Sequence, residues 1–188
     1  MKKIVSLLFI IFLFSESYSQ LTKGVWIVGG NANLSLAQYR GDIGITEDIL
    51  SIGIQPKIGY FFIDKFTAGL LINYSYYNVK ASTSRSFHSE YGFGPFLRYY
   101  FLKEDTRTNI FAETSYQYIF LKSNTGNGNH SNYKLNSYSF SAGPVIYLNT
   151  TVGLEFTVGY TVKKYIDYSD YSNNLLVGLG LQIHLEKE

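Results

Sequence analysis

The sequence predicts an all-β fold, an eight-stranded antiparallel up-and-down transmembrane β-barrel. Three observations carry that expectation. Apolar residues alternate with small or polar ones at a period of two almost throughout residues 20–188, and helical periodicity is hard to find. About eight such stretches of about ten residues or more follow one another, the strand number and length of the smallest membrane barrels. The connections between them alternate between long and short, as when long loops gather at one end of a barrel and tight turns at the other.

The chain opens MKKIVSLLFIIFLFSESYSQ. Lys2 and Lys3 form a basic start and residues 4–14 are an apolar run too short to span a bilayer comfortably as a helix. Ser17 and Ser19 place small residues before a cut ahead of Gln20, so residues 1–19 read as a cleaved secretory signal and 20–188 as one barrel domain.

The strands follow in order. Trp26, Val28, Gly30, Ala32, Leu34 and Leu36 share a face, opposite Gly29, Asn31, Asn33 and Ser35. Leu50, Ile52, Ile54, Ile58, Tyr60 and Phe62 oppose Ser51, Gly53, Gln55, Lys57 and Gly59. Phe66, Ala68, Leu70, Ile72, Tyr74 and Tyr76 form a third apolar face, and Tyr91, Phe93, Leu97, Tyr99 and Phe101 a fourth, the latter against Glu90, Gly92, Gly94 and Arg98. In the second half Ile110 to Phe120 alternate against Glu113, Ser115 and Gln117, and Tyr138 to Leu148 against Ser137, Ser139, Ser141 and Gly143. Val152 to Val162 oppose Gly153, Glu155, Thr157, Gly159, Thr161 and Lys163, and Leu175 to Leu185 oppose Gly178, Gly180, Gln182 and His184. The long connections are expected at 39–47, 79–88, 122–133 and 164–173, and the short ones at 63–65, 103–108 and 149–150.

A weak internal repeat marks the even-numbered strands: Gln55-Pro56-Lys57-Ile58-Gly59-Tyr60, Gly94-Pro95-Phe96-Leu97-Arg98-Tyr99 and Gly143-Pro144-Val145-Ile146-Tyr147-Leu148, with Gly180-Leu181-Gln182-Ile183 as a copy that replaces Pro by Leu. All 3 prolines of the chain lie in it. Proline cannot donate to a β-ladder, and a closed barrel has no free edge, so each is expected at a bulge or ladder gap towards the short-turn end, with its ring turned outward.

Only 16% of residues are charged, so the face rich in Gly and Ser suits a narrow lumen better than a water-facing exterior. The bulky apolar face, with Tyr and Phe near strand ends, suits lipid with aromatic girdles. The near balance of 16 Lys+Arg and 14 Asp+Glu argues against a nucleic-acid footprint, and the absence of cysteine removes thiol catalysis and Cys-type zinc sites.

The stretches PKIGYFFIDKFTAGLLINYSY, FGPFLRYYF and GLGLQIHL resemble the small outer-membrane β-barrel domain family of Gram-negative bacteria, the porin-like and OmpA/OmpX-like barrels. The resemblance implies an integral protein of the cell outer membrane, in contact with its lipid. It also implies recognition by the barrel-insertion machinery through a C-terminal strand, to which Gly180, Ile183 and Leu185 correspond. The chain departs from the family pattern by closing on HLEKE rather than on an aromatic residue.

Arg98 and Glu113 fall on the lumen face of adjacent predicted strands, and a narrow lumen brings Lys57 and Glu155 within their reach. These four read as a paired charge network that plugs the barrel, or alternatively as a polar constriction. Ser86, His88 and Glu90 have the spacing of a serine-activating group on one strand face, which a lipid-modifying enzyme would need. The same spacing arises by chance in a Ser-rich segment, and its parity turns it away from acyl chains. Tyr165, Tyr168 and Tyr171 make the last long connection a candidate surface for an extracellular ligand. No metal site and no cofactor are expected, because His88, His130 and His184 are scattered. The expected function is a non-enzymatic outer-membrane barrel with a structural, adhesive or narrow porin-like role. The alternatives are a lipid-modifying enzyme and a soluble lipocalin-like binder.

Overall fold

Alternation at a period of two sends successive side chains to opposite faces of a strand, and eight such strands form here. They are β1 (Trp26–Arg40), β2 (Thr46–Ile63), β3 (Phe66–Ala81), β4 (Arg85–Tyr100), β5 (Thr108–Thr125), β6 (Asn129–Tyr147), β7 (Val152–Tyr165) and β8 (Tyr171–Leu185). The structure is a computed structural model that describes residues 21–40, 46–81, 85–125, 129–167, 169 and 171–185; the expected signal at 1–19 and Tyr168 lie outside the described residues. Each strand pairs antiparallel with the next, and β8 returns to β1 to close the barrel.

The registers set the width. A walk perpendicular to the strands from Trp26 passes Tyr60, Ala68, Leu97, Thr114, Phe140 and Tyr160 to Leu175. The β8–β1 register, extended from Ala32↔Leu179, puts Leu36 opposite Leu175, ten residues beyond the start. Eight strands with that stagger tilt by about 40° and enclose a lumen just wide enough for side chains.

The faces divide as the alternation predicts. Ile54, Ile58, Leu70, Ile72, Phe93, Leu97, Phe140, Val158, Leu179 and Leu181 are exposed on the outside. Lys57, Glu90, Arg98, Glu113, Gln117, Glu155, Thr157 and Gln182 are buried within.

Two expectations need correction. The long polar connections are mostly ladder, not loop: β3 and β4 pair out to Lys80↔Arg85, and β5 and β6 out to Thr125↔Asn129. A hairpin that has left the apolar band is solvated on both faces, so polar residues can continue its ladder at little cost. The lumen is also not filled by small residues and charges alone. At the short-turn end Leu21, Val25, Ile27, Phe61, Tyr100, Phe111, Val145 and Tyr147 pack into one apolar cluster. The segment before β1 contributes Leu21, whose carbonyl accepts from the Lys65 amide at 2.7 Å, while the Gly24 amide donates to the Phe61 carbonyl at 2.8 Å.

The three prolines break ladders without shifting them. β2 pairs with β3 at Ile54↔Tyr74 and resumes at Lys57↔Leu71, skipping Gln55 and Pro56. β4 pairs with β5 at Phe93↔Tyr118 and Phe96↔Ser115, skipping Gly94 and Pro95. β6 pairs with β7 at Ala142↔Val158 and Val145↔Glu155, skipping Gly143 and Pro144. On the other side each proline keeps its register partner, Gly30, Leu70 and Ile110 respectively. All three are exposed on the outer face. Leu181, which stands for Pro in the fourth copy, has a partner on both sides, Leu154 and Gly30.

Candidate functional site

The inward charges gather into two clusters, and β4 and β7 contribute to both. β4 supplies Glu90 towards the long-connection end and Arg98 towards the short turns. β7 supplies Lys163 and Glu155 at the same two ends with the signs reversed.

In the lower cluster Arg98 donates from Nε to Glu113 Oε2 at 2.7 Å, from Nη1 to Glu155 Oε1 at 2.6 Å and from Nη2 to Glu155 Oε2 at 3.0 Å. Lys57 Nζ donates to both oxygens of Glu113, at 3.1 and 3.0 Å. Arg98 Nη1 also reaches the Tyr100 hydroxyl at 3.2 Å and Gln182 Oε1 at 3.1 Å, and the Tyr100 hydroxyl donates to Gln182 Oε1 at 2.8 Å. The Arg98 guanidinium lies 4.1 Å from the Phe111 ring centroid and Lys57 Nζ 5.7 Å from that of Phe96. Two cations face two carboxylates, so the cluster is neutral, as buried charge must be. It also braces the barrel: Arg98 ties β4 to β5, β7 and β8, and Lys57 ties β2 to β5.

In the upper cluster Lys163 Nζ meets Glu90 Oε2 at 2.5 Å, the Tyr77 hydroxyl donates to the same oxygen at 3.2 Å, and Lys163 Nζ lies 3.4 Å from the Tyr77 hydroxyl. Nearby, Ile119, Leu121 and Leu135 form a second apolar cluster against which Tyr133 and Tyr165 pack. Between the clusters most inward residues are small or polar, Gly92 and Gly94 on β4, Ser115 and Gln117 on β5, Thr157, Gly159 and Thr161 on β7, while Leu71 on β3 and Phe96 on β4 are buried apolar side chains among them.

The four predicted network residues, Lys57, Arg98, Glu113 and Glu155, thus come together. Tyr100 and Gln182, which sequence reasoning missed, complete them. The pairing of Glu90 with Lys163 was missed as well, although alternation had put both on the lumen face. Among the described residues no hydrogen bond joins Ser86, His88 and Glu90, and Glu90 Oε2 instead accepts from Lys163 and Tyr77. Tyr165 is not a free loop tyrosine. It ends β7 and stacks edge-on with Tyr133, ring centroids 5.8 Å apart. Tyr171 is exposed at the start of β8. His130 is exposed, whereas His184 is buried with its ring 5.7 Å from both Phe61 and Tyr147. Among the described residues no three His, Cys, Asp or Glu side chains are grouped to hold a metal.

No family model matches this chain, and no curated protein matches it in sequence. Solved structures do match. Neisserial surface protein A (NspA) is similar with 16% identity and a TM-score of 0.55, over 86% of this chain and 97% of that one. The outer membrane protein OprG from Pseudomonas aeruginosa is similar with 12% identity and a TM-score of 0.58, over 92% of this chain and 100% of that one. The N-terminal β-barrel domain of Pseudomonas aeruginosa OprF follows with 11% identity and a TM-score of 0.50, over 87% and 98%. The chain therefore has the fold of the small eight-stranded outer-membrane barrels.

Proposed function

We propose that this protein is a non-enzymatic integral barrel of the outer membrane with a structural or adhesive role, and that its lumen is a braced core and not an open channel. The observation that carries the reading is the inversion of the usual soluble arrangement. Salt bridges lie inside the barrel, and a continuous apolar band covers the outside. Soluble monomers rarely expose apolar patches beyond a few hundred Å², and a band around a whole barrel is far larger.

The band has the anatomy that a bilayer selects. Trp26, Tyr60, Phe62, Phe66, Tyr99 and Phe101 ring the short-turn end, with Trp26 and Tyr60 5.1 Å apart and Phe62 and Phe66 4.9 Å apart. Tyr74, Tyr91, Tyr116, Tyr138 and Tyr160 ring the other side, with Tyr74 and Tyr91 5.1 Å apart and Tyr116 and Tyr138 5.4 Å apart. Aliphatic residues such as Leu70, Ile72, Val158 and Leu179 lie between them. Aromatic rings at the two interfaces with an aliphatic zone of about 25 Å between are the outer surface of a membrane barrel.

Export would use residues 1–19 as a cleaved signal, and insertion would use Gly180, Ile183 and Leu185 as the strand read by the barrel-insertion machinery. The polar hairpin ends, Tyr171 included, would face the outside of the cell and meet an extracellular ligand. Cell fractionation tests the reading: the protein should stay in the outer-membrane pellet after a urea wash, and release into the periplasmic fraction would overturn it.

A further inference from the structure

The shortest ladder of the barrel is its closing seam. β1 and β8 pair from Trp26↔Leu185 to Ala32↔Leu179 and, among the described residues, no further. Both strands go on. Residues 33–40 of β1 continue paired with β2, and residues 171–178 of β8 with β7, but not with each other. The parting begins within the apolar band, because Val177 pairs with Val158 and Leu175 with Tyr160 of the aromatic ring. Leu175 and Val177 are the most exposed large hydrophobics among the described residues, at 76% and 71%.

A closed barrel spans lipid because it has no unpaired strand edge. This seam leaves two edges at a depth where lipid offers no hydrogen bonds, and the two are complementary. β1 runs away from the short turns and β8 towards them. When two copies stand side by side in the same orientation, a two-fold axis along the membrane normal sets β8 of each antiparallel to β1 of the other. Both edges of both copies are then satisfied at once. Directly below the parting the outer wall recedes. Gly30 and Ala32 floor an apolar groove between Leu179 and Leu181 on one side and Ile54 and Pro56 on the other, with a volume of about 510 Å³. Small residues there let a second wall approach closely.

We infer that the protein forms a two-fold dimer through this seam, 33–40 of one copy pairing with 171–178 of the other. The inference rests on the membrane-barrel reading above. Extending the β1–β8 backbone register sets position 34 level with Val177 and position 36 level with Leu175. The chain has no cysteine of its own. The test is the full-length double variant Leu34→Cys/Val177→Cys, expressed with and without a tag in the same cells, oxidised in membranes and separated without reductant. Leu36→Cys/Leu175→Cys serves as a second pair if the first does not fold.

The expected result is a shift of most of the chain to twice the monomer mass, with tagged and untagged copies joined. A disulfide at monomer mass, meaning that the seam zips within one barrel, overturns the inference. So do thiols left free. A control variant Phe93→Cys, on the far wall, should stay monomeric, and dimer from it at equal yield overturns the inference as random collision. Loss of the membrane location itself would instead strike the functional reading, so the two failures are distinguishable.

Discussion

Arg98 and Glu155 meet through two parallel hydrogen bonds of 2.6 and 3.0 Å although they lie 57 residues apart in the chain. One stands on β4 and the other on β7, so this fork crosses the lumen. Removing one partner of a buried pair leaves the other charge uncompensated, at a cost of about 3–5 kcal/mol. Arg98→Met should therefore lower the unfolding free energy, read from urea titration of the folded protein in lipid vesicles, by that amount, while Lys57 still holds Glu113. Replacing both partners, Arg98→Met with Glu155→Leu, should recover at least half of the loss, because no charge is then left unpaired between them. A double variant no better than the single would contradict the bracing role.

Conduction should be absent. The lower cluster spans the lumen from β2 through β4 and β5 to β7 and β8, and the apolar cluster around Phe61, Tyr100, Phe111 and Tyr147 closes the end below it. Purified protein in planar bilayers should give no steady ion current above the bare-membrane level. A stable open level in most recordings would contradict a packed lumen.

Backbone crowding beside the prolines gives a contrast between two glycines. A Cβ at Gly94 would fall 1.9 Å from the Tyr116 carbonyl oxygen, whereas one at Gly178 would meet nothing within 4 Å. Gly94→Ala should force β4 and β5 apart next to the gap that Pro95 opens, and sharply reduce the yield of folded barrel. Gly178→Ala should stay within about 0.5 kcal/mol of the parent, as substitutions without steric conflict do. Folded yield on refolding into detergent micelles compares the two, and equal yields would show that the wall spacing at Gly94 is wrong.

Lipid chemistry should be indifferent to Ser86 and His88. Glu90 Oε2 is held by Lys163 and Tyr77, and among the described residues no hydrogen bond joins Glu90 to His88 or His88 to Ser86. Mass spectra of lipid A from cells carrying Ser86→Ala or His88→Ala should match those from the parent. A lost or gained acyl chain in either variant would revive the lipid-modifying alternative.

Period two was legible residue by residue, and parity alone put Lys57, Arg98, Glu113 and Glu155 on one face. Arg98 with Glu113 could be read directly, because they sit opposite each other on adjacent strands. Glu90 with Lys163 could not, because bringing β4 level with β7 requires the stagger of the closed barrel, which no single strand encodes. Tyr100 was hidden in the run Tyr99-Tyr100-Phe101, where composition is uniform and only the alternation separates the inward ring from its outward neighbours. Gln182 needed the approach of β8 to β4 across the lumen. The prolines were legible as ladder gaps because a missing donor is a local fact. The early parting of β1 from β8 was not, since it depends on how the first strand meets the last.

Every function proposed for this chain requires that it be a membrane barrel. Electrophoresis of the detergent-solubilised protein with and without boiling tests that most directly. Eight strands joined in one barrel and held by buried ion pairs should resist cold detergent, so the unheated sample should run as a compact band and shift to the mobility of its full 21.4 kDa chain, or that mass less a cleaved signal, on boiling. A single band unaffected by heating, from protein recovered in the soluble fraction, would contradict it.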